Sequence, residues 1–167
     1  MAIPVRKGYS RLQIALHWLI ALLIVVQILY HEPMVGAWDA VRQGLAIPAE
    51  LNLGVTVHVV AGVSVLLLAL LRLGVRVTRG APRVPENEPA PLKFVANATH
   101  ILLYALMIAI PLGGLAAWAG GIKQAAPIHG LAANLLFLLV LLHIAGALYQ
   151  RFVLKTDVMT RMAIPEK

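Results

Sequence analysis

An all-α membrane protein, a bundle of four transmembrane helices with both termini cytoplasmic, is the fold class this chain predicts. Three observations predict it. Of its 167 residues 60% are hydrophobic and 13% charged, about half the charge of an ordinary soluble domain. The apolar residues gather in four runs, about 12–30, 51–71, 94–118 and 128–149. Each is long enough to cross a hydrocarbon core of about 30 Å, where only internally hydrogen-bonded structures such as helices survive. The cations then fix the orientation. Arg6, Lys7 and Arg11 precede the first run. Arg72, Arg76, Arg79, Arg83 and Lys93 lie between the second and third, and Arg151, Lys155, Arg161 and Lys167 follow the fourth. Only Arg42 and Lys123 lie in the other two loops. Twelve against two places both termini on the cytoplasmic side. Residues 1–167 read as one transmembrane domain.

The first run, behind Arg6, Lys7 and Arg11, also invites a signal-peptide reading. It is too long for an apolar signal core, and no small-x-small site closes it. It is therefore taken as a membrane helix. The outer loop 31–50 carries Trp38 at interfacial depth, with Pro33 and Pro48 near its ends. The second helix is followed by a connector over 72–93, whose Arg-Gly-Ala-Pro-Arg-Val-Pro-Glu-Asn-Glu-Pro-Ala-Pro stretch breaks helices. Pro111, Gly113 and Gly114 should bend the third helix or leave room beside it. The short third loop, about 119–127, makes helices three and four tight antiparallel neighbours. Tyr30, Trp118 and Tyr149 stand at run ends, where amphipathic rings favour the headgroup region.

The net charge of +7 follows this topological pattern, so it is no nucleic-acid patch. The absence of cysteine excludes disulfides, thiolate catalysis, iron–sulfur clusters and covalently attached c-type haem. Any iron must be held by other side chains.

Histidine is the side chain to examine, because ionisable groups at membrane depth are costly and usually functional. His129 and His143 lie fourteen residues apart in the fourth run. On a helix they fall within about 40° of one face and roughly 21 Å apart along the axis. Depth supplies a partner for each. His17, early in the first helix, shares the cytoplasmic level with His143, near the end of the fourth. His58, early in the second helix, shares the outer level with His129. Two cross-helix imidazole pairs are what two six-coordinate b-type haems need. The metal-ligand set is therefore His17, His143, His58 and His129. The bland alternative for any one of them is a core histidine hydrogen-bonded to a neighbouring helix.

His100, in the third helix, is left without a depth partner. A hydrogen bond to a haem propionate or a quinone carbonyl and a purely structural role both stay open. His31, beside Glu32 and Pro33, reads as a solvated surface residue. Gly62, one turn after His58, and Gly146, three residues after His143, would let a flat macrocycle approach the backbone. Small residues also mark ordinary helix contacts in membranes. Arg11 and Arg151 lie near the cytoplasmic level and are candidates to pair with propionates, or are plain topology charges.

The segment Ser-Arg-Leu-Gln-Ile-Ala-Leu-His-Trp over 10–18 resembles the opening of the bacterial cytochrome b561 family. So do His58 with Gly62, Thr99-His100 with Tyr104, and His129 with Ala133-Asn134. Leu142-His143, Lys155-Thr156-Asp157 and Arg161-Met162 complete the likeness. It spans essentially the whole chain. It implies a multi-pass protein of the bacterial inner membrane with two b haems, related to the cytochrome b subunits of hydrogenases and dehydrogenases. Similar members are described as superoxide oxidases that pass electrons from superoxide at the outer face to ubiquinone. The third loop here is shorter than in the best-known family type, and Gly130 stands where that pattern has an acidic residue.

The expected activity is thus a superoxide:quinone oxidoreductase. One alternative is a cytochrome b subunit fed by a partner dehydrogenase. Another is a haem-free transporter or proton channel with a histidine relay, which predicts no Soret band. The formal outer charge is −1, from Arg42 and Lys123 against Glu32, Asp39 and Glu50. An anionic donor would therefore meet at most a local positive focus at Lys123.

Overall fold

The computed structural model describes residues 8–82 and 89–166. Arg6, Lys7, Arg83 and Lys167 of the charge pattern lie outside the described residues. In chain order the helices are α1 (Arg11–Leu29), α2 (Glu32–Arg42), α3 (Asn52–Arg79), α4 (Ala90–Trp118), α5 (Ala125–Phe152) and α6 (Val158–Arg161). A single 3-10 turn, Ala49–Leu51, leads into α3. Helices α1, α3, α4 and α5 are long and apolar enough to cross a membrane. Among the described residues there is no strand.

Local chemistry explains where these helices begin and end. Ser10 caps α1 through a reciprocal pair: Gln13 N–H donates to Ser10 Oγ at 3.2 Å, and Ser10 N–H donates to Gln13 Oε1 at 3.0 Å. Two of the unpaired donors at a helix start are thereby satisfied. Helix α3 runs on to Arg79, eight residues past the expected end, so Arg72, Arg76 and Arg79 are helical rather than part of a loop. Their long apolar stems extend a membrane helix past its hydrocarbon limit. Arg76 and Arg79 also sit in its last turn, where cations oppose the negative end of the helix dipole. Gly80, at φ 85°, ends it in a conformation open to glycine.

The outer loop differs from expectation as well, because it contains α2. Pro33 in its first turn, Glu32 at its start and Arg42 in its last turn are ordinary helix signals. Ala37 and Ala40 turn inward and are buried, and α2 packs on α3.

The core lies at mid-height, built from Ile20 of α1, Val65 and Ala69 of α3, Leu103 and Met107 of α4, and Leu139 of α5. Close helix contacts follow chain order, α1 on α3, α3 on α4 and α4 on α5, the last being the most extensive as the short loop foretells. The two described ends meet at one end of the bundle. Glu166 N–H donates to the Tyr9 carbonyl at 2.9 Å, and Trp18 Nε1 donates to the Met162 carbonyl at 2.9 Å. That end is called proximal below, and the end carrying α2 distal.

Candidate functional site

The core marks a level from which the histidines can be placed. His17 lies three residues before Ile20, His100 three before Leu103, and His143 four after Leu139. With the direction of each helix, all three stand one turn to the proximal side of the core. His58 lies seven residues before Val65, and His129 ten before Leu139. These two stand two to three turns to the distal side.

At the proximal level the ring centroids of His17 and His143 are 6.1 Å apart, with planes at 70°. At the distal level those of His58 and His129 are 6.2 Å apart, at 62°. All four residues are half-buried. The helices that carry each pair, α1 with α5 and α3 with α5, are not among the extensive helix contacts of the described residues. The rings meet edge to face between them.

Hydrogen bonding orients the rings. His129 Nδ1 lies 2.8 Å from the Ile110 carbonyl, and His100 Nδ1 lies 2.7 Å from the Ala96 carbonyl. A carbonyl oxygen only accepts, so Nδ1 is the protonated nitrogen and Nε2 keeps a free lone pair. Gly114 makes room for this contact. A Cβ there would stand 3.0 Å from His129 Cε1, whereas one on Gly113 would make only ordinary contact, 4.0 Å from His129 Cβ. The room expected beside Pro111 is therefore occupied by an imidazole.

Residues 8–163 match the family model for prokaryotic cytochrome b561. The chain belongs to the prokaryotic cytochrome b561 family. It is 44% identical over 158 residues to a protein named cytochrome b562 from Cereibacter sphaeroides, a match covering 95% of this chain and 96% of that protein. It is 27% identical over 183 residues to the "Probable superoxide oxidase CybB" of Yersinia pestis, across 96% and 98% of the two chains. Cytochrome b561 homolog 1 of Escherichia coli is 26% identical over 175 residues, across 92% and 96%. Membership makes the chain a multi-pass bacterial membrane protein of electron transfer that binds haem b. The haem-free relay considered from sequence is set aside on that ground.

The residues present fit that group. A metal–imidazole bond is about 2 Å and a ring nitrogen lies about 1 Å from the ring centre, so two imidazoles across one iron have centroids about 6 Å apart. Both pairs meet this spacing. Among the described residues there is no cluster of three or more metal-binding side chains. A porphyrin-held iron needs only two from the protein.

Several placements differ from the sequence reading. His100 has a level partner after all: its ring lies 5.1 Å from that of His143, edge to face at 83°. Depth along α4 puts His100 at this level, where His17 and His143 already pair. Gly62 does not face an open gap, since a Cβ there would stand 2.9 Å from Gln27 Nε2. Gly146 does face open space. Arg11 lines an open proximal cleft of about 500 Å³ with Val75, Thr78 and Arg79. Arg151 is exposed in the last turn of α5.

The cation that reaches the proximal histidines is Arg72, read from sequence as a loop charge. It lies three residues past Ala69 on α3, its Nη1 donates to the Gln13 carbonyl at 2.6 Å, and it is the charged neighbour that His17, His100 and His143 share. The one-turn offset from the core was its available signal. One turn on, the Arg76 guanidinium stands 6.0 Å over the Tyr104 ring. His31 is exposed and lies 3.2 Å from Glu32, as a surface residue should.

Proposed function

We propose that the protein holds two b haems, the proximal one between His17 and His143 and the distal one between His58 and His129, and carries electrons between them. The observation that carries this reading is the pair of cross-helix imidazole distances, 6.1 and 6.2 Å, on opposite sides of one apolar core. When bound, haem b supplies a reversible one-electron iron couple at each level.

The protein's own contribution is positional. Ile110 and Ala96 carbonyls set ring tautomers, the Ile20–Val65–Leu103–Leu139 layer keeps water from between the levels, and Arg72 places positive charge at the proximal one. The proximal level, beside the cationic helix ends, is the cytoplasmic side, and the membrane is the bacterial inner membrane.

The electron donor is superoxide at the distal face and the acceptor is ubiquinone. Two superoxide anions become two molecules of dioxygen, and one quinone takes the two electrons and two protons to become quinol. The relative named as a probable superoxide oxidase supports this. So does the distal charge arrangement. Arg42 is paired with Asp39 at 2.5 Å, while Lys123 forms no ion pair among the described residues. It borders a cleft of about 160 Å³ with Trp38 and Trp118, where a cation can draw in a small anion.

The test is a reduced-minus-oxidised spectrum with haem quantitation on the purified chain and on His129→Ala and His143→Ala. Two haems per chain, with one lost in each variant, is the expected result. Retention of both in either variant overturns the assignment. Superoxide-driven quinol formation in the same preparation checks the donor and acceptor.

A further inference from the structure

Gln27 sits on α1 seven residues beyond Ile20, two turns toward the distal end. Its amide faces the peptide of His58 on α3, with Nε2 donating to the His58 carbonyl at 2.8 Å. Because a carbonyl only accepts, the donor end of the amide is fixed there and Oε1 must turn elsewhere. That oxygen is buried without a hydrogen-bond partner, and so is Nδ1 of the His58 imidazole. Gly62 keeps the amide close, since a Cβ at that position would stand 2.9 Å from Gln27 Nε2.

Buried polar atoms without partners are uncommon because each forfeits its hydration. Here two occur on residues already joined by a hydrogen bond. One is an acceptor, and the other is a ring nitrogen that donates when it carries the proton.

We propose that Gln27 is a positioning residue for His58, using both ends of its amide. Nε2 anchors the His58 backbone, and Oε1, which has no partner in this structure, accepts from the imidazole Nδ1–H once iron holds the other ring nitrogen. That fixes the tautomer which leaves Nε2 to iron. The inference rests on the reading of His58 as a haem ligand. The opposite ring, His129, has its acceptor from a main-chain carbonyl. The distal pair would then be oriented by one main-chain acceptor, present in the structure, and one side-chain acceptor gained on haem binding, which can be exchanged by mutation. An imidazole whose N–H is hydrogen-bonded is the more basic ligand. It favours ferric iron, so loss of the acceptor raises the reduction potential of that haem.

The test is an equilibrium redox titration of the purified, haem-loaded full chain, followed by absorbance, with low-temperature EPR of the ferric haems as a second readout. Q27M keeps the length and packing of the side chain and removes both amide atoms. Q27E keeps an acceptor oxygen. His58→Ala, which loses the distal haem, identifies the midpoint belonging to each level. The expected result is an upward shift of the distal midpoint alone in Q27M, with Q27E returning it to or below the wild-type value. An unshifted distal midpoint in Q27M overturns the proposal. So does an equal shift of both haems, or the same displacement or haem loss in Q27M and Q27E alike, which marks a merely structural role. Retention of both haems in His58→Ala is a separate failure, of the ligand reading itself.

Discussion

The imidazole of His129 rests against the backbone of Gly114, where any Cβ would stand 3.0 Å from its Cε1 and 3.1 Å from its Nδ1. One helix thus leaves out a side chain so that another can place a ring. Gly114→Leu should displace the ring. Overpacking of this kind costs about 1–3 kcal/mol, and the displaced ring loses its Ile110 acceptor. Haem content should fall toward half in the purified variant, with the surviving spectrum matching that of His129→Ala. Full haem content would show that the ring is not needed where it lies.

Arg72 predicts an effect confined to the other level. On the proposed reading, with a haem between His17 and His143, its positive charge favours reduced iron, and the interaction is on the order of 1 kcal/mol at the dielectric of a partly buried site. Arg72→Gln should lower the proximal midpoint potential and leave the distal one in place. A redox titration resolves the two.

Gln13 predicts loss of stability without loss of function. It is buried at 4% exposure, completes the α1 capping box, and donates from Nε2 to the Gly80 carbonyl at 2.9 Å. Gln13→Ala removes the side-chain half of the capping box within α1 and the side-chain link from α1 to the end of α3. Losses of about 1 kcal/mol are typical for a cap and for a side-chain hydrogen bond. The thermal midpoint in detergent should fall while haem per chain, measured at low temperature, stays at the wild-type value.

Lys123 tests the donor. Lys123→Glu reverses the charge at the distal cleft, so superoxide-driven quinone reduction should slow several-fold at low salt and converge with wild type as ionic strength rises. Haem spectra and midpoints should not change. A rate insensitive to this charge and to salt would remove Lys123 from the entry path.

Trp18 binds the tail. Its Nε1 donation to the Met162 carbonyl holds the segment after α5 against α1, and Trp18→Phe should lose about 1 kcal/mol of that hold. Faster trypsin cleavage at Lys155 and Arg161, at unchanged haem content, is the expected readout.

The sequence by itself carried the four membrane helices and the depth at which His17 meets His143 and His58 meets His129. All of these are functions of position along the chain: hydropathy sets the spans, and a rise of about 1.5 Å per residue converts residue number into depth. The family likeness was legible for the same reason, in the segment about His17 and the spacing from His129 to His143. The tertiary structure decided what depends on rotation about each helix axis and on small side chains at contacts. It brought His100 within 5.1 Å of His143, turned Arg72 from a loop charge into their shared neighbour, and set Gln27 against Gly62 beside His58. It also folded α2 from a stretch read as loop. Depth is a one-dimensional quantity that a sequence carries, whereas azimuth is fixed only when four helices pack.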